Sequence, residues 1–128
     1  MIPDGLRYHT EHEWLKIERD SALLGITHFA QDALGDIVYV DLPKVGATVT
    51  AGQEVGEVES TKTTSAIYSP VSGSVVEVNP VLKDHPEIIN QEPYGKGWIL
   101  KLKLSNPSDA DRLMDAKQYG AFLKQQEQ

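Results

Sequence analysis

Short stretches of alternating hydrophobic and polar residues occur along most of this chain, and such alternation is typical of β-strands with one face in a core. Residues 14–18 and 22–26 are rich in hydrophobic residues on either side of the polar pair Arg19-Asp20, and they predict a β-hairpin. By similar criteria, further strands are predicted at residues 37–41, 48–50, 52–59, 64–69 and 75–78. The sequence therefore predicts a mostly β fold.

The segment from residue 79 to residue 104 divides into two parts. Residues 79–97 contain three prolines and two glycines, which predicts a long ordered loop. Residues 98–104 alternate again, with Trp98 and three leucines at every second position. This second part predicts a half-buried strand of period two.

Helices are predicted in only two regions, a short inner helix that ends before Gly35 and a helical tail at about residues 106–126. Side chains suited to N-caps precede the three helices: Thr27, Ser105 or Asn106, and Asp115. The last helix would place three side chains on one face at i, i+3 and i+4 spacing: Tyr119, Phe122 and Leu123.

Composition narrows the class of protein. The chain has 128 residues, with 40% hydrophobic and 24% charged, which predicts a single globular domain over residues 1–128. A net charge of −7 disfavours nucleic acid and anionic membranes as partners and suits docking to basic protein surfaces. Without cysteine, neither a disulfide framework nor a thiolate metal site is expected.

The sequence contains no signal-peptide pattern and no apolar run of transmembrane length. The expected location is the bacterial cytoplasm, and a mitochondrial matrix protein would require a presequence already removed. We expect a monomer.

Lys62 lies between the predicted strands 52–59 and 64–69, at the tip of a hairpin. An ammonium group there would point into water, away from any core. That position suits a group that is handed to other proteins, whereas acid–base catalysis or a Schiff-base lysine needs a walled site that shifts the pKa. The alternative for Lys62 is a solvated surface charge, as for most lysines. The neighbouring Glu57 and Glu59 are either charges recognised by partner proteins or solvated residues on a strand face.

Other catalytic and metal-binding patterns are weak. His9 and His12 form an H-x-x-H, but no third ligand is near in sequence, so a structural metal is not expected. The glycines form no phosphate-binding loop, and the serines lack a nucleophile-elbow pattern. Trp14 and Trp98 are expected to pack in the core or at its rim. No catalytic residue is assigned.

In their order and spacing, several segments resemble the H proteins of the glycine cleavage system, a family of lipoyl carriers, over nearly the whole chain. The matching segments are residues 12–14, 25–31, 34–36, 42–46, 58–62, 67–73, 76–79 and 93–98. The resemblance implies a barrel-sandwich hybrid fold with lipoate linked by an amide to Lys62. It also implies a carrier that is not itself an enzyme.

The partners that the resemblance implies are glycine decarboxylase, which uses pyridoxal phosphate, a tetrahydrofolate-dependent aminomethyltransferase, dihydrolipoamide dehydrogenase, and the enzymes that attach lipoate. The arm would accept an aminomethyl group, present it for transfer and then be reoxidised. Because the reactive sulfurs belong to the cofactor, a chain without cysteine can serve this chemistry.

Two further residues take their interpretation from the resemblance. It places Glu13 beside the cleft where the loaded arm rests, so its carboxylate would contact the cationic aminomethyl group, unless Glu13 is an exposed glutamate at a hairpin edge. Ala66 stands four residues after Lys62, where the family usually has an acidic residue. A charge contact from that side is therefore expected to be absent.

Three alternatives keep the attachment site or the fold but change the role. A biotin carrier would usually place methionine on both sides of the lysine, where this chain has Thr61 and Thr63. A lipoyl relay would deliver lipoate to 2-oxoacid dehydrogenases. An interaction module would leave Lys62 unmodified.

Overall fold

The computed structural model describes residues 2–126 and is built mainly of two antiparallel β-sheets. Nine strands are present: β1 Arg7–Tyr8, β2 Glu13–Glu18, β3 Ser21–Ile26, β4 Ile37–Asp41, β5 Thr48–Val49, β6 Glu54–Ser60, β7 Thr64–Tyr68, β8 Gly73–Val78 and β9 Leu100–Leu104. Six of them form one sheet in the order β1-β2-β3-β9-β8-β5, and the other three form the order β4-β6-β7. The mostly β fold is confirmed.

Three α-helices and two 3-10 helices connect or follow the strands. They are α1 His28–Leu34, α2 Ile88–Gln91, α3 Ala116–Gln126, and the 3-10 helices Pro80–Lys83 and Pro107–Arg112. The N-cap predictions are confirmed, because side-chain oxygens of Thr27, Asn106 and Asp115 accept bonds from Ala30 N, Ser108 N and Gln118 N. Asn106, rather than Ser105, is the cap of its helix.

Alternation along the strands directs one set of side chains from both sheets into a common core. Leu15, Leu24 and Leu102 from the larger sheet are fully buried with Val58 and Ile67 from the smaller one. Burial of each such side chain contributes about 1.5–3 kcal/mol. This core therefore anchors the base of the β6–β7 hairpin, which carries Lys62.

A second cluster joins the beginning and the end of the described chain. Tyr8, Trp14 and Tyr119 are buried together, with Phe122 and Leu123 of α3 packed against them. The rings of Tyr8 and Tyr119 stack with centroids 4.7 Å apart. The predicted apolar face of the last helix is confirmed, and Trp14 and Trp98 pack in or against this cluster as expected.

The segment after β8 differs from its prediction. The predicted loop at 79–97 contains two short helices, and the first begins at Pro80 because proline suits the first helical position and the Asn79 side chain caps Val81 N. The final strand begins at Leu100 rather than Trp98. Ile99 is fully buried, against the predicted alternation, and its amide bonds to Leu24 O.

The predicted single domain, 1–128, includes residues 1, 127 and 128, which lie outside the described residues. The two-residue strand β1 was not predicted. Within residues 2–126, no helix is both long enough and apolar enough to span a bilayer.

Candidate attachment site at the Lys62 hairpin

The β6–β7 hairpin presents Lys62 at its tip. Beyond the Glu59–Thr64 pair, Ser60 N donates to Thr63 O at 2.8 Å, so Thr61 and Lys62 form a two-residue tip. Lys62 is exposed, as the sequence predicted. Val58 is buried only four residues before Lys62. The tip is therefore a short projection from a packed base.

Ser60 shapes this tip through its side chain. Its hydroxyl donates to Thr63 O at 3.2 Å and accepts from the amides of Lys62 at 3.3 Å and Thr63 at 3.1 Å. Two-residue hairpin loops usually need positive φ, which neither Thr61 nor Lys62 has. The buried Ser60 hydroxyl, instead of a backbone carbonyl, accepts the bond from Thr63 N. In the sequence, the only signal for this role is a serine directly before the predicted tip.

The exposed lysine side chain passes close to the loop after α1. A Cβ built on Gly35 would lie 3.4 Å from Lys62 Cε and 3.9 Å from Nζ. Gly35 has φ +83° and ψ −155°, a region that only glycine occupies readily. One residue further on, Asp36 O accepts a 3.0 Å bond from Thr61 N. The tip is thus docked against this loop.

Two glutamates of β6 precede the tip, and neither forms an ion pair with the lysine. Within residues 2–126, no Asp or Glu oxygen lies within 4.0 Å of Lys62 Nζ. Glu57 and Glu59 are exposed. Glu57 is the strand partner of Ala66, and directly opposed residues of an antiparallel pair share a face. Glu57 therefore places a carboxylate on the face of Ala66, while the expected absence of a charge contact from position 66 to the loaded amine stays a prediction.

Glu13 is inside the protein, so the alternative of an exposed edge glutamate is wrong. Its side chain is 1% exposed. One oxygen is 2.8 Å from His9 Nδ1, and the other accepts a 3.1 Å bond from Tyr68 N. Burial raises the pKa of Glu13, and the hydrogen bond with His9 opposes that rise in part.

Helix α1 connects the surroundings of Glu13 and Lys62. Its N-cap Thr27 follows Ile26, the strand partner of Glu13, and Gly35 at its other end lies near Lys62. A helix of seven residues spans about 10 Å. The two candidate residues are therefore brought to opposite ends of one short helix and are not in direct contact.

The two histidines of the H-x-x-H pattern have separate partners. His9 bonds to Glu13, whereas His12 Nδ1 lies 2.8 Å from the hydroxyl of Tyr119. In the part of the chain that is described, no group of three or more His, Asp or Glu side chains is arranged to hold a metal ion. Both histidines are accounted for by hydrogen bonds within the fold.

Comparison with known proteins places this hairpin in a family. The family profile described as "Glycine cleavage H-protein" matches residues 6–126. The glycine cleavage system H protein of Symbiobacterium thermophilum is 54% identical over 124 residues, which are 97% of each chain. That of Acinetobacter baylyi is 55% identical over 121 residues, which are 94% of this chain and 98% of the relative.

A solved structure agrees with the sequence comparisons. The crystal structure of a glycine cleavage system H protein from Mycobacterium marinum superposes with a TM-score of 0.87 and 39% sequence identity. The match covers 99% of this chain and all of that one. The fold predicted from the resemblance, a barrel-sandwich type shared with lipoyl carriers, is confirmed.

Proposed function

The chain belongs to the glycine cleavage H-protein family, and from that premise we propose that it carries lipoate as an amide on Lys62. The observation that carries the proposal is the placement of Lys62, exposed and without an ion pair among the described residues, at a two-residue hairpin tip. Its role in glycine cleavage is that of a carrier without catalytic residues of its own.

The residues around Lys62 suit covalent attachment. At pH 7 an ordinary lysine amine is neutral in only about one molecule in a few thousand, so an attaching enzyme must remove its proton. The exposed tip gives that enzyme access, while the bonds from Lys62 N to Ser60 Oγ and from Thr61 N to Asp36 O fix the backbone of the tip. Amide formation removes the positive charge, which leaves an acidic hairpin around an uncharged arm.

When bound, lipoate supplies a dithiolane that is reduced as it takes up an aminomethyl group and is later reoxidised. The proposed partners are glycine decarboxylase with pyridoxal phosphate, the tetrahydrofolate-dependent aminomethyltransferase, dihydrolipoamide dehydrogenase and the lipoate-attaching enzymes. The hairpin keeps the attachment point at one place on the carrier, and tethering raises the effective concentration at each partner site. We infer a monomeric protein of the bacterial cytoplasm.

Glu13 remains the proposed contact for the loaded amine, with a constraint on how that contact forms. His9 and Tyr68 N already hold the two carboxylate oxygens. A cationic amine that reaches Glu13 would have to take the place of His9, whose side chain is 23% exposed, while the Tyr68 bond persists. Support for the proposal comes from α1, which runs from Thr27, next to the strand partner of Glu13, to Gly35 near Lys62.

The first test is the intact mass of the protein purified from lipoylating cells, with peptide mapping around residue 62. We expect one lipoyl amide on the wild type and on Lys44→Arg, a control at another exposed lysine, and none on Lys62→Arg. Lys62→Arg should fold normally because both side chains are exposed cations.

Three results would contradict the proposal. An arm on the Lys62→Arg variant would place the site elsewhere. A biotinyl amide would make the chain a biotin carrier. An unmodified wild type, in cells that lipoylate other proteins, would support an interaction module.

A further inference from the structure

We propose that Asn90 is a positioning residue. By holding the loop after α1, Asn90 orients Lys62 for attachment. The inference builds on the proposed carrier function and adds a residue that lies outside the hairpin. Asn90 belongs to the four-residue helix α2, in the segment that the sequence predicted to be a loop. No catalytic pattern drew attention to it.

Both polar atoms of the Asn90 side chain form hydrogen bonds with the end of α1 and the loop that follows it. Its Oδ1 accepts a 2.9 Å bond from Ile37 N, and its Nδ2 donates to Gly35 O at 2.8 Å. The same Nδ2 donates to Gln31 Oε1 at 3.0 Å. One side chain thus fastens the last turn of α1 and the first residue of β4.

The residues held by Asn90 are those that contact the hairpin tip. Gly35 lies near the Lys62 side chain, since a Cβ added to this glycine would be 3.4 Å from Lys62 Cε. Asp36, between the two residues that Asn90 fastens, accepts the bond from Thr61 N. Hydrogen bonds therefore connect Asn90, through the backbone of residues 35–37, to Thr61, the residue before the lysine.

Asn90 is itself held in place from behind. The preceding residue, Ile89, is fully buried in the main core, and Glu92 N closes the α2 turn by bonding to Ile88 O at 2.8 Å. A side chain on such an anchored turn loses little further freedom when it forms three hydrogen bonds. That arrangement favours orientation of the loop over simple filling of space.

The bonding pattern requires an amide at this position. Aspartate would keep an acceptor for Ile37 N but would place an oxygen against Gly35 O and Gln31 Oε1, where donors are needed. Alanine would leave the amide of Ile37, a residue only 2% exposed, without its partner. Asn90→Asp is the sharper variant because it changes two donors while nearly preserving volume.

Asn79 provides a matched control within the same segment. Its side chain also accepts one backbone bond, from Val81 N, and donates two, to Lys96 O and Trp98 O. None of these partners belongs to the loop after α1. Asn79→Asp therefore reproduces the loss of two buried donors without disturbing that loop.

The experiment compares wild type, Asn90→Asp and Asn79→Asp as unmodified proteins with a purified lipoate ligase. Stability is measured by urea denaturation, and hydrogen exchange is followed at the Thr61 amide. For Asn90→Asp we expect kcat of lipoylation to fall about ten-fold, with KM little changed and Thr61 exchanging faster. Asn79→Asp should lose stability without either effect.

Equal effects of the two variants on kcat and on Thr61 exchange would overturn the inference. If Asn90→Asp does not fold, Asn90→Ser replaces it in the same comparison, with the same expected directions. If the ligase fails to modify the wild type, the proposed function fails and Thr61 exchange alone decides. Faster exchange in the Asn90 variant only would then still support the positioning role, and equal exchange would overturn it.

Discussion

At the residue scale, burial has opposite consequences for the two site residues inferred from the sequence. Lys62 keeps its ammonium exposed, whereas Glu13 has its carboxyl inside the protein with two hydrogen-bond donors at 2.8 and 3.1 Å. Removal from water disfavours the charged carboxylate, and this is the largest cause of the raised pKa of Glu13. The pH dependence of folding should report this burial.

Glu13→Gln should change how stability depends on pH. Between the ordinary pKa of 4.5 and the raised value, the folded wild type binds more protons than the unfolded chain, so its stability falls as pH rises. The amide cannot titrate, so the variant should become more stable relative to wild type across this window. Urea midpoints between about pH 4 and pH 8 measure the difference.

His9 supplies the control for that prediction. Its hydrogen bond lowers the pKa of Glu13, against the larger effect of burial. In proteins that carry His9→Gln, the pH window should therefore widen. The pH-dependent difference in stability between Glu13 and Glu13→Gln should then be larger. A difference that does not vary with pH in either background would show that Glu13 titrates as it does in water.

The surroundings of a side chain were predictable from the sequence where neighbouring residues in the chain determine them. A lysine at a hairpin tip is exposed by the geometry of the hairpin. The environments of Glu13 and Asn90 depend on partners 55 residues away in the chain, Tyr68 N for the first and Gly35 O for the second. Periodicity and propensity carry no information about such pairs.

At the element scale, one tyrosine hydroxyl adds hydrogen bonds to the apolar packing of helix α3, and its partners are residues that flank β2 and β3. Tyr119 OH lies 2.8 Å from both His12 Nδ1 and the Thr27 hydroxyl, which in turn caps α1. Burial lowers the pKa of His12 and raises that of Tyr119 to about 12, so both are neutral near pH 7. A chain of bonds from Thr27 through Tyr119 to His12 satisfies all three groups.

Tyr119→Phe should lower the free energy of unfolding by about 1–3 kcal/mol, because it leaves the fully buried Thr27 hydroxyl and the His12 nitrogen without this partner. The ring stack with Tyr8 would remain. Urea denaturation measures the loss. Tyr39→Phe is the control, since Tyr39 is 57% exposed and should change stability by less than about 0.5 kcal/mol. Equal losses would contradict the role of the hydroxyl.

Elements with strong alternation or clear caps were predictable, and short elements were not. Helix α1 follows from Thr27 and Gly35, both of which act on neighbouring backbone groups. Strand β1 has two residues and exists because it pairs with β2 and because Tyr8 bridges to Met114. In residues 79–97 the prolines indicated a loop, yet Pro80 begins a helix because Asn79 caps it.

At the scale of the whole molecule, the net charge of −7 should influence encounters with basic partner surfaces. Lipoylation kcat/KM should fall as ionic strength rises, and Glu59→Gln should lower it a few-fold at low salt. The kcat/KM values of wild type and Glu59→Gln should become equal near 1 M salt, where the Debye length is about 3 Å. Asp111→Asn, outside the hairpin, should follow wild type. A salt dependence shared by all three would remove Glu59 from the docking surface.

The order of strands was not predictable from periodicity. Strand β9 lies between β3 and β8 in the larger sheet, so residues distant in the chain become neighbours. Alternation identifies a strand but does not identify its partner. The resemblance to a known family supplied the arrangement that the pattern of residues left open.

The bond between His12 and Tyr119 joins residues 107 positions apart, and this has a consequence for biosynthesis. At about 5–20 residues per second, a ribosome needs about 5–20 s to add Tyr119 after His12. Throughout that time Tyr8 and Trp14 lack the helix that covers them. Newly made chains therefore display an aromatic surface that chaperones can recognise, and they lose it only when the last helix docks.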